Sequence, residues 1–213
     1  MITNKLKKML IIVSLTAILT ACTGTYSTKI DTNLAQTLRG KSLIVTSSKI
    51  PMLHVVKSFI FNGDPIDNGN QLIKKYNLMN PATMITNKVS NKLSNTFSMR
   101  VQHPVKFEDY DSIEFLANKY KKNDYVLDIR TSSWGVGFDL QKKGNHRVVY
   151  SSTLFLIDTK TEEVVAESLC TINTPQSKTH PYNQYIANNA LLLKQEINSI
   201  TQHCISEFEK QFL

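Results

Sequence analysis

The residues that could carry chemistry are few and scattered in this chain. None of the histidines stands at metal-ligand spacing to another histidine, a cysteine or a carboxylate. The histidines are His54, His103, His146, His180 and His203. Asp128, Ser132 and His146 lie near one predicted turn and are the one candidate set for nucleophilic catalysis. The motifs G-x-S-x-G, H-E-x-x-H and G-x-x-x-x-G-K-[ST] do not occur. The sequence therefore predicts no catalytic residue, no metal and no cofactor.

Two cysteines are placed to bond to each other. Cys170 shares the parity of Ala166 and Ile172 in a predicted strand, and Cys204 lies on the apolar stripe of a predicted C-terminal helix. Both thiols can thus face one interface, and an even pair of cysteines in an oxidising compartment usually bonds. We predict a disulfide between Cys170 and Cys204, with two buried free thiols as the alternative.

The third cysteine, Cys22, ends a segment of unusual composition. Three lysines between residues 5 and 8 form a basic region, residues 9–19 are largely apolar, and Leu19-Thr20-Ala21-Cys22 follows. The apolar run is too short for a transmembrane helix and has the layout of a secretory signal.

The last four of these residues resemble the lipobox of bacterial lipoproteins, in which a small residue precedes a lipid-bearing cysteine. The resemblance covers the first 22 residues. It implies that residues 1–21 are a signal peptide and that Cys22 carries the diacylglycerol and palmitate-type chains as the mature N-terminus. An ordinary cleaved signal peptide is the alternative. In lipoproteins of diderm bacteria an aspartate after the cysteine favours the inner membrane; here Thr23 implies the outer membrane, with the domain facing the periplasm or exposed at the surface.

The charge of the mature chain is mildly basic. Without residues 1–21 the chain holds 22 Lys and Arg against 17 Asp and Glu, a formal charge of +5. These charges are scattered, with lysine pairs as the longest runs, so the pattern disfavours nucleic-acid binding.

Composition and patterning together predict one domain. Residues 22–33 are small and polar and form a lipidated tether, and residues 34–213 are long enough and apolar enough for a single globular domain.

The stretch from Asp124 to Ile172 predicts an antiparallel meander. Apolar residues alternate in the segment 134–140, whereas Leu127 and Ile129 have the opposite parity, so a bulge or tight turn is expected across Thr131 to Ser133. The strand 147–157 is apolar at both parities and is predicted to be central and covered on both faces.

The remaining elements complete an α+β fold. A strand is predicted at 41–47, a helix after Asn80-Pro81, a short strand at 98–105 ended by Pro104, a helix capped by Asp111, and one long helix over 182–213. We expect a mainly antiparallel sheet of four to six strands with helices packed mostly on one face. This order of elements loosely resembles small periplasmic α+β domains of envelope lipoproteins, without a shared motif.

The segment Ile50 to Phe61 is apolar but follows neither the helical nor the strand period. One element cannot turn all of its apolar residues inward, so we predict a partner surface at Met52, Leu53, Phe59 and Phe61. An irregular strand tucked under the first helix is the alternative.

These observations predict an envelope lipoprotein that is not an enzyme. Its function is expected to be binding or assembly with a protein or glycan partner, which the sequence does not name. A hydrolase acting on envelope material and a purely structural or stress-related lipoprotein are the alternatives.

Overall fold

The computed structural model describes residues 28–48, 53–56, 67–108, 112–173 and 178–212. The elements in chain order are α1 (Thr32–Leu38), β1 (Ser42–Ser48), β2 (His54–Val55), β3 (Asp67–Asn68), α2 (Gly69–Tyr76), α3 (Pro81–Phe97), β4 (Arg100–Glu108), α4 (Ile113–Lys119), β5 (Tyr125–Phe138), β6 (Asn145–Asp158), β7 (Glu163–Asn173), β8 (His180–Pro181) and α5 (Tyr182–Phe212).

All eight strands of the described residues belong to one sheet. At one end its order is β4-β1-β5-β6-β7, and at the other end β3-β2-β5-β6-β8. The pairs β1–β4, β1–β5 and β2–β5 are parallel, whereas β5–β6–β7 form an antiparallel meander. The predicted meander and the α+β class are confirmed, but the sheet is larger than four to six strands and is partly parallel.

The main core lies between one face of the sheet, here called the inner face, and helices α3 and α5. Helix α3 begins as expected, because the Asn80 side chain accepts a hydrogen bond from the backbone N–H of Ala82 at 3.0 Å and Pro81 opens the first turn. Its buried residues Ile85, Val89 and Leu93 join Trp134 and others in one apolar cluster. Trp134 is therefore a core residue, as its parity predicts.

The opposite face of the sheet, the outer face, carries the short helix α4. Leu116 and Ala117 of α4 cover Ile44, Val126 and Ile157, which form a second and smaller apolar cluster. Most of the described helical packing thus lies on the inner face, as expected, and α4 is an exception that positions a polar network described below.

The central strands agree in detail with the parity argument. Strand β5 is continuous, and its pairing with β6 shifts register between Thr131 and Ser133, where the sequence requires a bulge. Strand β6 has partners on both sides. On the outer face α4 covers Ile157, but alternate residues from Arg147 to Phe155 are only half-buried there.

Strand β4 runs further than predicted. It continues through Pro104 to Glu108, and its register against β1 shifts between Ile44 and Thr46. Proline lacks a backbone donor, and an edge strand with an irregular register tolerates that loss. Pro104 therefore marks the irregularity and not the end of the strand.

The C-terminal helix is not one uninterrupted helix. Ala187 is extended, and Asn188, Asn189 and Ala190 all have left-handed backbone angles, so α5 consists of two helical pieces joined at these residues. The apolar stripe continues across the break, which is why periodicity alone predicts a single helix. Helix α4 is capped by Ser112, whereas Asp111 lies outside the described residues.

The described residues include the last six of the predicted tether, 28–33. Thr28 and Glu167 of β7 exchange two backbone hydrogen bonds of 2.9 and 3.3 Å, and α1 begins at Thr32 with Asp31 as its cap. Residues 28–33 therefore belong to the folded domain.

Candidate functional site

A network of charged residues lies on the outer face beneath and beside α4. Asp128 is fully buried, and its carboxylate accepts hydrogen bonds from Thr46 Oγ1 at 2.8 Å and from Arg130 Nε at 3.0 Å. The Arg130 guanidinium lies 4.9 Å from the centre of the Phe155 ring. Strand register explains the grouping, because Thr46, Asp128 and Phe155 are directly paired neighbours on three adjacent strands.

A second carboxylate ties α4 to the edge of the sheet. Glu108 at the end of β4 accepts hydrogen bonds from Lys119 Nζ, at 2.5 Å, and from the Tyr120 hydroxyl. Lys119 also lies 5.5 Å from the Phe115 ring centre. The network therefore fixes the C-terminal end of α4.

The protonation behaviour of this network is typical of a structural site. Burial works to raise the pKa of Glu108, but the hydrogen bonds from Lys119 and Tyr120 outweigh it and hold that pKa below its usual value. Burial and the bond to Glu108 raise the pKa of Tyr120 well above its usual value. The pKa values of both groups are shifted further from pH 7. Acid–base catalysis needs the opposite shift, toward the working pH.

The residues of the candidate nucleophilic set do not come together. Strand register pairs Asp128 with Phe155 of β6. His146 lies nine residue steps before Phe155 on the same strand, so about 30 Å of strand separates Asp128 from His146. Ser132 instead donates to the backbone oxygen of Ser151 at 3.3 Å.

The predicted disulfide is present. Cys170 of β7 and Cys204 of α5 are joined with an S–S distance of 2.01 Å and a Cα–Cα distance of 5.6 Å. Both residues are buried in the main core, so the bond fastens the second piece of α5 to the inner face of the sheet.

The predicted partner surface loses one of its members. Leu53 is 1% exposed and packs in the main core, since β2 pairs with β5 immediately after it. It therefore cannot contribute to a partner surface. Met52, Phe59 and Phe61, like the lipid-attachment candidate Cys22, lie outside the described residues.

Exposed apolar side chains in the described part of the chain point to a different surface. A recess of about 250 Å³ is lined by Asn77, Met79, Lys194 and Ile197. Met79 is 56% exposed, and Leu191, one helical turn before Lys194 on α5, is 52% exposed. We call the lining residues Asn77, Met79, Lys194 and Ile197 the α5 recess. Sequence reasoning misses it because its residues come from distant segments.

A polar cleft of about 240 Å³ lies where β1 and β5 begin. Asp124 accepts hydrogen bonds from the backbone N–H and hydroxyl of Ser42, at 3.0 and 2.8 Å, and lies 3.6 Å from Lys41 and 3.8 Å from Lys160. The bonds from Ser42 are the main reason that the pKa of Asp124 lies below its usual value. The carboxylate is thus engaged in joining β1 to β5.

Two searches of the described residues gave negative results. No helix there has both the length and the apolarity to cross a membrane. No group of three or more His, Cys, Asp or Glu residues there is arranged to hold a metal ion.

Comparison with known proteins finds only distant likeness. No family model and no curated protein matches the chain. Among solved structures, protein XCC0632 from Xanthomonas campestris shares 14% identity at a TM-score of 0.40, over 80% of this chain and 85% of that one.

Two further solved structures show the same level of likeness. A neuraminyllactose-binding hemagglutinin homolog from Helicobacter pylori shares 12% identity at a TM-score of 0.40, over 79% of this chain and 86% of that one. Lipoprotein GNA1162 from Neisseria meningitidis shares 14% identity at a TM-score of 0.35, over 76% of this chain and 99% of that one. Likeness this distant carries no functional assignment.

Proposed function

We propose that this protein is a lipid-anchored lipoprotein of the bacterial cell envelope whose domain binds a partner without catalysing a reaction. The observation that carries the proposal is the Cys170–Cys204 disulfide, because structural disulfides form and persist mainly in oxidising compartments outside the cytosol. Export agrees with the signal-like segment before Cys22, and the lipobox-like end of that segment supplies the anchor. Thr23 supports an outer-membrane destination.

The binding role is supported by how the polar and apolar groups are distributed. The buried carboxylates Asp128 and Glu108 are engaged by hydroxyl groups and cations of the fold itself. The α5 recess instead presents Met79 to solvent, and Leu191 is exposed one helical turn before Lys194 of the recess. Exposed apolar surface of this kind marks contact sites. Methionine adapts its shape to a protein surface, so the recess favours a protein partner over a glycan.

The anchor is tested by removing its thiol. Cys22→Ala should abolish incorporation of a labelled fatty acid and stable membrane attachment, because acylation requires the cysteine. Wild-type protein that is mature and unacylated would refute the anchor. Recovery of acylated wild-type protein in the inner-membrane fraction would refute the outer-membrane destination alone.

The binding surface is tested by site-specific photocrosslinking in cells. A photoreactive residue at Leu191 should give one discrete protein adduct, and Met79→Glu should weaken it. Phe107 is the matched control, since it is 48% exposed but lies on the edge strand β4. The same adducts at Leu191 and Phe107, or no effect of Met79→Glu, would exclude the α5 recess as the contact.

A further inference from the structure

The turn between β5 and β6 holds one leucine outward in a fixed position. The Asp139 carboxylate accepts hydrogen bonds from the backbone N–H groups of Gln141, at 2.9 Å, and Lys142, at 3.3 Å. The backbone N–H of Asp139 donates to the carbonyl of Asn145 at 2.9 Å. Within this closed turn Leu140 is 71% exposed, the highest value among the large exposed apolar side chains of the described residues. Because the backbone of the turn is already ordered, docking of Leu140 costs little further backbone entropy.

Basic side chains surround this leucine. Lys142 and Lys143 are exposed in the same turn, and Arg147 follows at the start of β6. Lys178 is exposed next to β8, which pairs with the first residues of β6. Asp139 is the one carboxylate in residues 138–147 and 178–181. The turn and its neighbours on β6 and beside β8 thus combine an apolar tip with positive charge, the combination that suits an anionic membrane surface.

The path of the N-terminal chain points to the same end. At Thr28 the chain runs antiparallel to β7, so its N-terminal side is directed along β7 toward the β5–β6 turn. Only six residue steps separate Thr28 from Cys22, a span of ~20 Å at most.

From Thr28 to the β5–β6 turn the sheet is longer than six residues can span. Glu167, the partner of Thr28, is in register with Phe155 of β6. From Phe155 to Asn145 strand β6 covers about 33 Å, and the turn follows. With Thr28 within ~20 Å of the bilayer, an orientation that points the turn toward the bilayer requires a tilted sheet and brings the turn to the membrane surface.

We propose that the β5–β6 turn is a second membrane contact, in which Leu140 enters the apolar edge of the bilayer and Lys142 and Lys143 bind anionic lipid headgroups. This inference rests on the lipid anchor proposed above. The anchor supplies a high local concentration of membrane, so one leucine and a few lysines suffice to hold the orientation. The domain then stands in a defined orientation, with the turn toward the lipid.

The chain allows this contact to be measured with a single probe. Cys170 and Cys204 are bonded to each other and Cys22 is acylated in the proposed mature form, so Leu140→Cys introduces a unique thiol. The acylated full-length variant, labelled with the environment-sensitive dye NBD, is reconstituted in phosphatidylcholine vesicles with or without phosphatidylglycerol. We expect blue-shifted emission that is quenched by nitroxide lipids, more strongly with phosphatidylglycerol.

Matched variants control for exposure and for charge. Leu191→Cys carries the probe at a similarly exposed leucine on the helical side and should show neither effect. In the Leu140→Cys background, Lys142→Glu with Lys143→Glu should abolish the dependence on phosphatidylglycerol. Lys74→Glu with Lys75→Glu, an exposed pair on α2, should leave it intact.

Three outcomes would overturn the inference. The Leu140 probe could be as accessible to water as the Leu191 probe. It could be shifted without quenching by nitroxide lipids, which would indicate a protein contact. A probe at Phe115 on α4 could be quenched in its place, which would turn the other side of the domain to the membrane. Mass spectrometry of each preparation separates these outcomes from failure of the proposed function, since unacylated protein would refute the anchor instead.

Discussion

Glu108 shows how burial and hydrogen bonding compete at a single residue. Burial of its carboxylate favours the neutral acid, whereas Lys119 and Tyr120 stabilise the charged form and lower its pKa. The charged form thus joins β4 to the end of α4.

This balance predicts a pH-dependent contribution to stability. The pKa of Glu108 is lower in the folded state than its ordinary value of 4.5, so its contribution is present above that value and is lost as the pH falls through the folded-state pKa. Glu108→Gln should cost about 1 kcal/mol at pH 7, since solvent screens the part-exposed Lys119. Urea unfolding at pH 7 and pH 3 measures the difference.

The exposed residue Glu114 of α4 is the control for this measurement. Glu114→Gln should change the free energy of unfolding by less than Glu108→Gln at pH 7. A cost of Glu108→Gln that persists undiminished at pH 3 would contradict the ionic account.

At the scale of elements, α5 carries the clearest local strain. Asn188, Asn189 and Ala190 have φ angles of 49°, 56° and 55°, a region that side chains with a Cβ enter at a cost. Asparagine tolerates this conformation better than most residues, which explains two of the three positions.

The break in α5 predicts an asymmetric response at the exposed Asn189. Asn189→Gly should leave the free energy of unfolding within ~0.5 kcal/mol or raise it, because glycine is relaxed at positive φ. Asn189→Val should cost about 1 to 2 kcal/mol. Thermal unfolding measures both, with Asn183→Val in the first piece of α5 as a control that loses only helix propensity. Equal costs of valine at Asn183 and Asn189 would contradict the left-handed assignment.

The disulfide is the strongest link between two elements. It closes a sequence separation of 34 residues, and in the chain-entropy model such a bond contributes ~3 to 4 kcal/mol. Cys204→Ala should therefore lower the midpoint of thermal unfolding by several degrees, which differential scanning calorimetry without reductant detects. Reduction of the wild-type protein should produce a similar decrease. An unchanged midpoint in both cases would show that packing alone holds α5.

Elements marked by local signals could be predicted from the sequence. Helix α3 follows from the Asn80-Pro81 start, the bulge in β5 from the change of parity at Thr131 to Ser133, and the disulfide from the faces of Cys170 and Cys204. Each of these signals depends on neighbouring residues and on the period of one element.

Features that depend on distant pairing could not be predicted. A strand at β1 is visible in the sequence, but its parallel position between β4 and β5 is set by partners far along the chain. The α5 recess joins Met79 to Lys194 and Ile197 in the same way. The break in α5 is hidden because the apolar stripe continues across it.

At the scale of the whole molecule, β7 connects the first described residue, Thr28, to the rest of the domain. Its outer edge pairs with Thr28, its Cys170 is bonded to α5, and its Ser168 hydroxyl donates to Gln211 near the end of that helix. Strand β6 lies on its other side. A restraint applied at Thr28 is therefore transmitted to both layers, so under the proposed lipid anchor the pairing at Thr28 would set the orientation of the domain.

This arrangement predicts that the Thr28–Glu167 pairing controls orientation at the membrane. Thr28→Pro removes the N–H that donates to Glu167 at 2.9 Å, whereas Thr28→Val keeps it. Thr28 is exposed at the sheet edge, so the free energy of unfolding of both variants should lie within ~1 kcal/mol of the wild-type value. With the dye at Leu140→Cys in acylated protein, Thr28→Pro should reduce quenching by nitroxide lipids and Thr28→Val should not. Equal quenching in the two variants would show that the tether does not direct the β5–β6 turn.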